Sequence, residues 1–224
     1  MSDATRPSVH ACRLLLRSDA EAIFAVHCAA TRGLPNDMVR RESLEFILEQ
    51  IDDGFVVGVF SEAAILVAYG ALTVVVEEVD KVANILDLDA ASRARFCLLD
   101  GGAVHPDWRR RGMHREIIAA RLRYAKVLGK DLVGATVSPR NIQTLKNTFN
   151  AGFRIMQAEL LYGGYERLIL VRDLRGGLPR FIGFQSVIAE DFSQHINAIR
   201  AGLAGFELLR NDQGQAIVQY GRQG

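Results

Sequence analysis

Apolar residues change their spacing several times along the chain, and each change marks a boundary between elements. The run from Val9 to Arg17 predicts a first strand. Ser18 and Glu21 then stand three positions apart, the spacing of a capping box, and predict a helix running toward Ala30. Leu44, Ile47, Leu48 and Ile51 recur at helical spacing and predict a second helix that ends near Gly54. Residues 55–60 and 63–76 are rich in β-branched side chains and are separated by Ser61 and Glu62, which predicts a hairpin inside a sheet. Between Glu77 and Arg95, acidic residues alternate with Val, Ile, Leu and Ala, as in a helix lying over one face of a sheet.

Phe96 to Val104 reads as a strand in which Gly101 and Gly102 mark a bulge or the close approach of another backbone or a ligand. Met113, Ile117, Ala120, Tyr124 and Leu128 then form one helical stripe, with Arg115, Arg123 and Lys126 off it and Gly129 at the end. Asp131 to Ser138 is a strand stopped by Pro139. Asn141 can cap a helix whose buried face is Ile142, Leu145 and Phe149, closed by Gly152. Phe153 to Tyr162 and Glu166 to Leu174 form a hairpin through Gly163 and Gly164. The order predicts an α/β class chain with helices on both sides of one sheet. No internal repeat is evident. Residues 176–224 are expected to be an appended element with a Gly-Leu-Pro break, a helix from Asp191 to Leu203 and a strand from Gln215 to Tyr220. That element would dock on a second copy of the chain, as in a homodimer, or cover an exposed sheet edge.

Composition narrows the function more than the fold. A formal net charge of +1 over 224 residues removes the electrostatic footprint of a general nucleic-acid or membrane-surface binder, so any phosphate binding must be local. The three cysteines, Cys12, Cys28 and Cys97, lack metal or disulfide spacing and read as small core residues of a reducing compartment. The N-terminal stretch has no signal-like apolar run, and a cytoplasmic location is expected. His10, His27, His105 and His195 show no ligand spacing, so no metal is expected.

One segment carries clear chemistry. A strand ends at Val104-His105-Pro106, the chain turns through Asp107 and Trp108, and Arg109-Arg110-Arg111-Gly112-Met113-His114 opens the amphipathic helix. The first N–H groups of a helix have no intrahelical partner and sit at the positive end of its dipole, so they suit a pyrophosphate. Gly112 lets a ligand approach the backbone closely. Three arginines on their own would read as a solvated surface run, and Trp108 is expected to pack the turn.

This arrangement resembles the GNAT superfamily of acyl-CoA-dependent N-acetyltransferases, whose helix opens with Arg/Gln-x-x-Gly-x-Gly/Ala. Arg109 and Gly112 match, and His114 departs from the last position. A second match is Asn141 followed by a helix closed at Gly152-Phe153. The resemblance spans about residues 10–175. It implies a mixed, mostly antiparallel central sheet with a splayed strand pair, a domain over 1–175 and an extension over 176–224. It also implies acetyl-CoA as co-substrate, with pantetheine along Ala103 and Val104 and the remaining contacts from Arg109, Arg110, Arg111, Gly112, Met113, His114, Asn141 and Phe149. His114 would displace the phosphate, donate to it, or face solvent.

Amine acylation needs a base for the ammonium and a proton for the leaving thiolate. Asp100 lies four residues before Val104 and is the candidate base; an ion pair with a neighbouring arginine is the alternative. The tyrosine that similar enzymes often use as acid is replaced by Thr148, and Tyr124, Tyr162 and Tyr165 read as packing residues. Cys97 lacks an activating neighbour for an acyl-enzyme route. The activity expected is acetyl transfer to a small-molecule or peptide amine; the alternatives are a non-catalytic acyl-CoA sensor and a transferase for longer acyl groups.

Overall fold

The computed structural model describes residues 12–177 and 179–224. In chain order these form β1 (Arg13–Leu14), α1 (Ala20–Thr31), α2 (Leu44–Asp53), β2 (Gly54–Phe60), β3 (Leu66–Thr73), α3 (Val76–Ile85), α4 (Ala90–Ala94), β4 (Phe96–Val104) and α5 (Met113–Val127). They continue through β5 (Leu132–Val137), α6 (Ile142–Asn150), β6 (Arg154–Leu161), β7 (Tyr165–Asp173), β8 (Phe181–Ile188), α7 (Phe192–Arg200), β9 (Ala204–Arg210) and β10 (Ala216–Gln223). The strands make one open sheet ordered β1-β2-β3-β4-β5-β7-β6-β9-β10-β8, antiparallel throughout except between β4 and β5.

Strand alternation sends Val57, Ala68, Cys97, Leu99 and Val133 to one face, where α5, α6 and α7 cover them. Val56, Tyr69, Ala71, Phe96, Leu98 and Ile169 point to the other face, beneath α1, α2 and α3. Helices on both faces of a mostly antiparallel sheet agree with the sequence pattern. The parallel pair gives the sheet its opening: β4 and β5 are in register only from Phe96↔Leu132 to Leu99↔Ala135, while β4 runs on to Val104 against β3. At Gly101 the β3–β4 register slips, so Asp100 pairs with Ala71 and Gly102 with Gly70, and the expected bulge is present.

Several local readings change. β1 is two residues long, and Val9 to Ala11 of the expected strand, with His10, lie outside the described residues. Asp19 rather than Ser18 is the N-cap residue of α1, and its carboxylate, held by Arg13, accepts from Leu16 N at 2.8 Å to close the preceding turn Arg17–Asp19 rather than capping α1 itself. The 77–95 stretch is two helices, because Asp87 takes a left-handed φ of 50° and Asp89 caps a new start at Ser92 N. Cys28 is exposed and Cys12 half-buried, leaving Cys97 as the core thiol among the described residues.

The extension holds two strands beyond those the pattern predicts, and it repeats an earlier unit. Asp191 Oδ1 accepts from Gln194 N as Asn141 Oδ1 does from Thr144 N, fifty positions apart. Leu203 N to Ala198 O and Phe153 N to Thr148 O close the two helices with the same 3.1 Å bond, and Gly202 and Gly152 share a positive φ. The strand order β8-β10-β9 matches β5-β7-β6. The two units meet where β6 and β9 pair antiparallel through the equivalent residues Ile155 and Gly205, with α6 packed against β9 and α7 against β6. The repeat escapes the sequence pattern because few side chains recur; what recurs is the cap, the closing glycine and the pairing.

Candidate active site

The α5 start has the geometry of an anion site. Gly112 is its N-cap at φ 85°, with Arg110 also left-handed at φ 62°. Among the described residues nothing accepts from the N–H groups of Arg110 to His114. A groove of about 620 Å³ runs from here along Gly102, Ala103 and Val104 to Asn141 and Asn147 on α6. It follows the splay of β4 from β5, where backbone groups on the open edge can pair with an inserted chain as a further strand would. Free donors at one end and an unpaired strand edge at the other suit a ligand with a phosphate head and an amide-bearing arm.

Ala103, Val104, Arg109, Arg110, Gly112, Met113, His114 and Asn141 all line this groove. Arg109 is partly committed, its Nη2 donating to Ala30 O at 2.8 Å and pinning the end of α1. Met113 contributes backbone, because its side chain is buried beneath α5. Two expected contacts lie elsewhere. Arg111 stacks over Trp108 at 4.6 Å, fixing the turn as expected of Trp108, and Phe149 is buried in the main core. Helical spacing placed Phe149 on the buried face of α6, where it lies; the groove contact was implied only by the resemblance.

A second cavity of about 170 Å³ adjoins the groove and shares Met38, Val39, Gly102, His114, Asn141 and Thr144 with it. Asp100 lies in its wall, its Oδ2 accepting from Gln50 Nε2 at 3.1 Å. No arginine side chain pairs with its carboxylate among the described residues; Arg121 instead donates to the carbonyls of Asp100, Gly101 and Ala71 and braces the bulge. Beside it stands Glu42, which the sequence pattern does not single out. Gly101 makes room for it: a Cβ there would lie 2.9 Å from Glu42 Oε1.

Glu42 is held by a directional chain. Its own backbone N–H donates to His27 Nε2 at 2.9 Å, which places the imidazole proton on Nδ1. His27 Nδ1 then donates to Tyr69 Oη at 2.8 Å, and the Tyr69 phenol donates to Glu42 Oε2 at 3.2 Å. Burial, together with the nearby Asp100 charge, pushes the Glu42 carboxyl up to about 7. Burial likewise lowers His27 and keeps it neutral. A carboxylate poised near neutrality, at the junction of groove and cavity, has the proton affinity of a general base.

Solved structures share this frame. The ribosomal-protein-S18-alanine N-acetyltransferase of Escherichia coli superposes with TM-score 0.56 at 14% identity, over 75% of this chain and 94% of its own. The PaiA N-acetyltransferase of Thermoplasma acidophilum, solved with coenzyme A, gives 0.54 and 16%, over 74% and 99%. A protein of Desulfovibrio desulfuricans assigned to the GNAT family of acetyltransferases gives 0.55 and 16%, over 75% and 99%. This chain has the GNAT fold. No protein-family model matches it and no curated protein matches its sequence, so the likeness is carried by structure.

Within the GNAT fold this chain departs at two positions. His114 stands where a small residue is usual, and its ring turns into the protein rather than to solvent: Asn147 Nδ2 donates to its Nδ1 at 2.7 Å. Burial, reinforced by the Arg121 charge, drives its pKa down to about 4, so it is a neutral ring at the junction. Thr148 hydroxyl is spent on Thr144 O and Leu145 O within its own helix. The phenol in the cavity is Tyr162, at a left-handed φ of 55° in the β6–β7 turn and 3.0 Å from Thr136 Oγ1. Tyr124 stacks on Phe55 instead. Burial pushes the Cys97 thiol up to about 12, which removes it as a nucleophile. Among the described residues no group of three or more His, Cys, Asp or Glu gathers to hold a metal, and no helix is long and apolar enough to cross a membrane.

Proposed function

We propose that this chain transfers an acetyl group from acetyl-CoA to an amine, within the unit formed by residues 1–175. The observation that carries the reading is Glu42, a buried carboxylate titrating at about 7 where the phosphate-binding groove opens into the second cavity. Acetyl-CoA supplies an acyl carbon with a thiolate leaving group. The α5 N-terminus and the backbone of Ala103 and Val104 hold the donor, and Asn141 borders its arm. Glu42 takes the ammonium proton, directly or through water, so that the free amine can attack. Asp100 holds the amine beside it and keeps the proton affinity of Glu42 high. Tyr162 O–H or water protonates the departing thiolate. Juxtaposing amine and thioester supplies much of the acceleration.

Release of coenzyme A thiol with an amine panel tests the reading. Glu42→Gln is expected to lower kcat about 100-fold or more while leaving acetyl-CoA affinity within a few-fold. Unchanged turnover in that variant would overturn the role of Glu42. Tight acetyl-CoA binding without turnover across broad amine panels would favour a sensor, a reading that Thr148 motivates. Comparison of acetyl-CoA with longer acyl-CoA donors reads out the acyl preference.

A further inference from the structure

The second cavity is lined by charges of both signs, and only the acidic ones serve the proposed acetyl transfer on which this inference rests. With Glu42 and Asp100, Arg40 and Arg167 also line it. Their guanidinium carbons lie 5.4 and 5.7 Å from the centre of the same ring, Tyr162, so two like charges converge on one side chain. Neither has a carboxylate partner among the described residues. Arg167, only 4% exposed, uses Nη1 for the carbonyls of Asp37 and Glu166, at 2.6 and 2.8 Å, and its other nitrogens donate no hydrogen bond among the described residues. The nearest acid that could neutralise it, Asp37, is already paired with Arg140 at 2.5 Å. Among the described residues Arg40 donates no hydrogen bond; it lies across Phe46 and Tyr162, and its charge also acts on Glu42.

A buried guanidinium is normally paired or fully hydrogen-bonded, because burying an uncompensated charge is costly. Arg167 is buried and Arg40 half-buried, and at the cavity the two leave planar donor sets, with no carboxylate partner among the described residues, that match a carboxylate. The charge balance points the same way. Arg40, Arg167 and the buried Arg121 outweigh Asp100 and a Glu42 that is half protonated near neutrality, so a purely cationic polyamine would add charge of the wrong sign. We propose that the acceptor is an amino acid, its carboxylate clamped by Arg40 and Arg167 and its amino group presented to Glu42 and Asp100. Tyr162, between the two arginines, sets the distance between the clamp and the reacting nitrogen.

The test compares free amino acids, their α-amides, the corresponding decarboxylated amines and phosphoethanolamine, by thiol release and by calorimetric titration into the protein saturated with coenzyme A. Free amino acids are expected to bind and turn over at least about tenfold better than their amides or decarboxylated forms, the loss expected when a charge-assisted hydrogen bond is removed. Arg40→Gln is expected to raise KM for the preferred amino acid about tenfold with little change for a decarboxylated amine. Arg167→Lys, which keeps the buried charge but loses the fork, is expected to do the same. Equal use of amides and amines, or preference for phosphoethanolamine, overturns the clamp while leaving acetyl transfer standing. Amino-acid binding that depends on both arginines but proceeds without turnover supports the clamp and counts against transfer; no binding of any amino acid overturns the clamp.

Discussion

Glu42 is the residue on which pH acts most directly. Its carboxyl is raised from 4.5 to about 7 by burial first and by Asp100 second. The deprotonated form is the base, so kcat/KM is expected to climb as pH rises through about 7, and Glu42→Gln should erase that limb. The stability consequence has the opposite sign. Between about 4.5 and 7 the folded chain holds a proton that the unfolded chain releases, so this contribution is lost as pH rises. A shift of this size corresponds to about 3 kcal/mol as an upper figure. Chemical denaturation at pH 5 and pH 8 should therefore show a shallower pH dependence in Glu42→Gln than in the parent chain. Gly112 tests the other half of the site. Its φ of 85° costs an L side chain roughly 1–2 kcal/mol, and nothing closer than 3.4 Å would meet the new Cβ. Gly112→Ala should weaken coenzyme A binding about tenfold through the backbone, by titration calorimetry.

At the scale of elements, the packing of α5 on β3 decides whether the groove and the cavity face each other. Gly70 permits the contact: a Cβ there would lie 2.4 Å from Ile117 and 2.9 Å from the Arg121 guanidinium. Arg121 in turn ties together the carbonyls at the β4 bulge. Gly70→Ala is expected to cost about 1–3 kcal/mol by overpacking, seen as a fall in Tm of roughly 2–4 °C per kcal/mol at this chain length. Activity should fall with it, because the bulge carries Asp100. The amphipathic stripe of α5, the cap at Asn141 and the glycine closing α6 were all legible as pattern, since each depends on neighbours within a turn or two. The Gly101 bulge was half legible: the two glycines signalled an irregularity, and the slipped pairing with β3 showed its direction.

Across the whole molecule, the repeated unit explains why the extension cannot be a loose appendage. Val187, Ala189, Ala198, Val218 and Tyr220 are buried in the same core as Leu145, Phe149 and Ile155. Its first strand is equivalent to β5, so among the described residues it has no counterpart of β4 or α5 and no second helix start like that at Gly112. Ending the chain after Asp173 would uncover the outer edge of β6 and strip that core, and an exposed apolar edge pairs with other chains. Light scattering on such a variant should show association or aggregation, with loss of activity; a monodisperse, fully active fragment would contradict this account.

The alternation of strands and helices and the open helix start at Gly112 were written in the chain, because propensity, capping and free helix N–H groups depend on residues adjacent in sequence. Phe149 shows the difference between two kinds of reading: helical spacing placed it on the buried face, where it lies, while the groove contact implied by the resemblance is not made. Glu42, Tyr162 and the two arginines come from separate stretches of chain and acquire their chemistry from burial and from one another, as does the raised proton affinity of Glu42. The two halves of the repeat, too, come together only in space, through the β6–β9 pairing at Ile155 and Gly205 and the crossed packing of α6 and α7. Desolvation and charge proximity are three-dimensional quantities, so the firmest feature of the sequence is where a cofactor would bind, and the features that choose the base and the acceptor exist only once the sheet has closed around them.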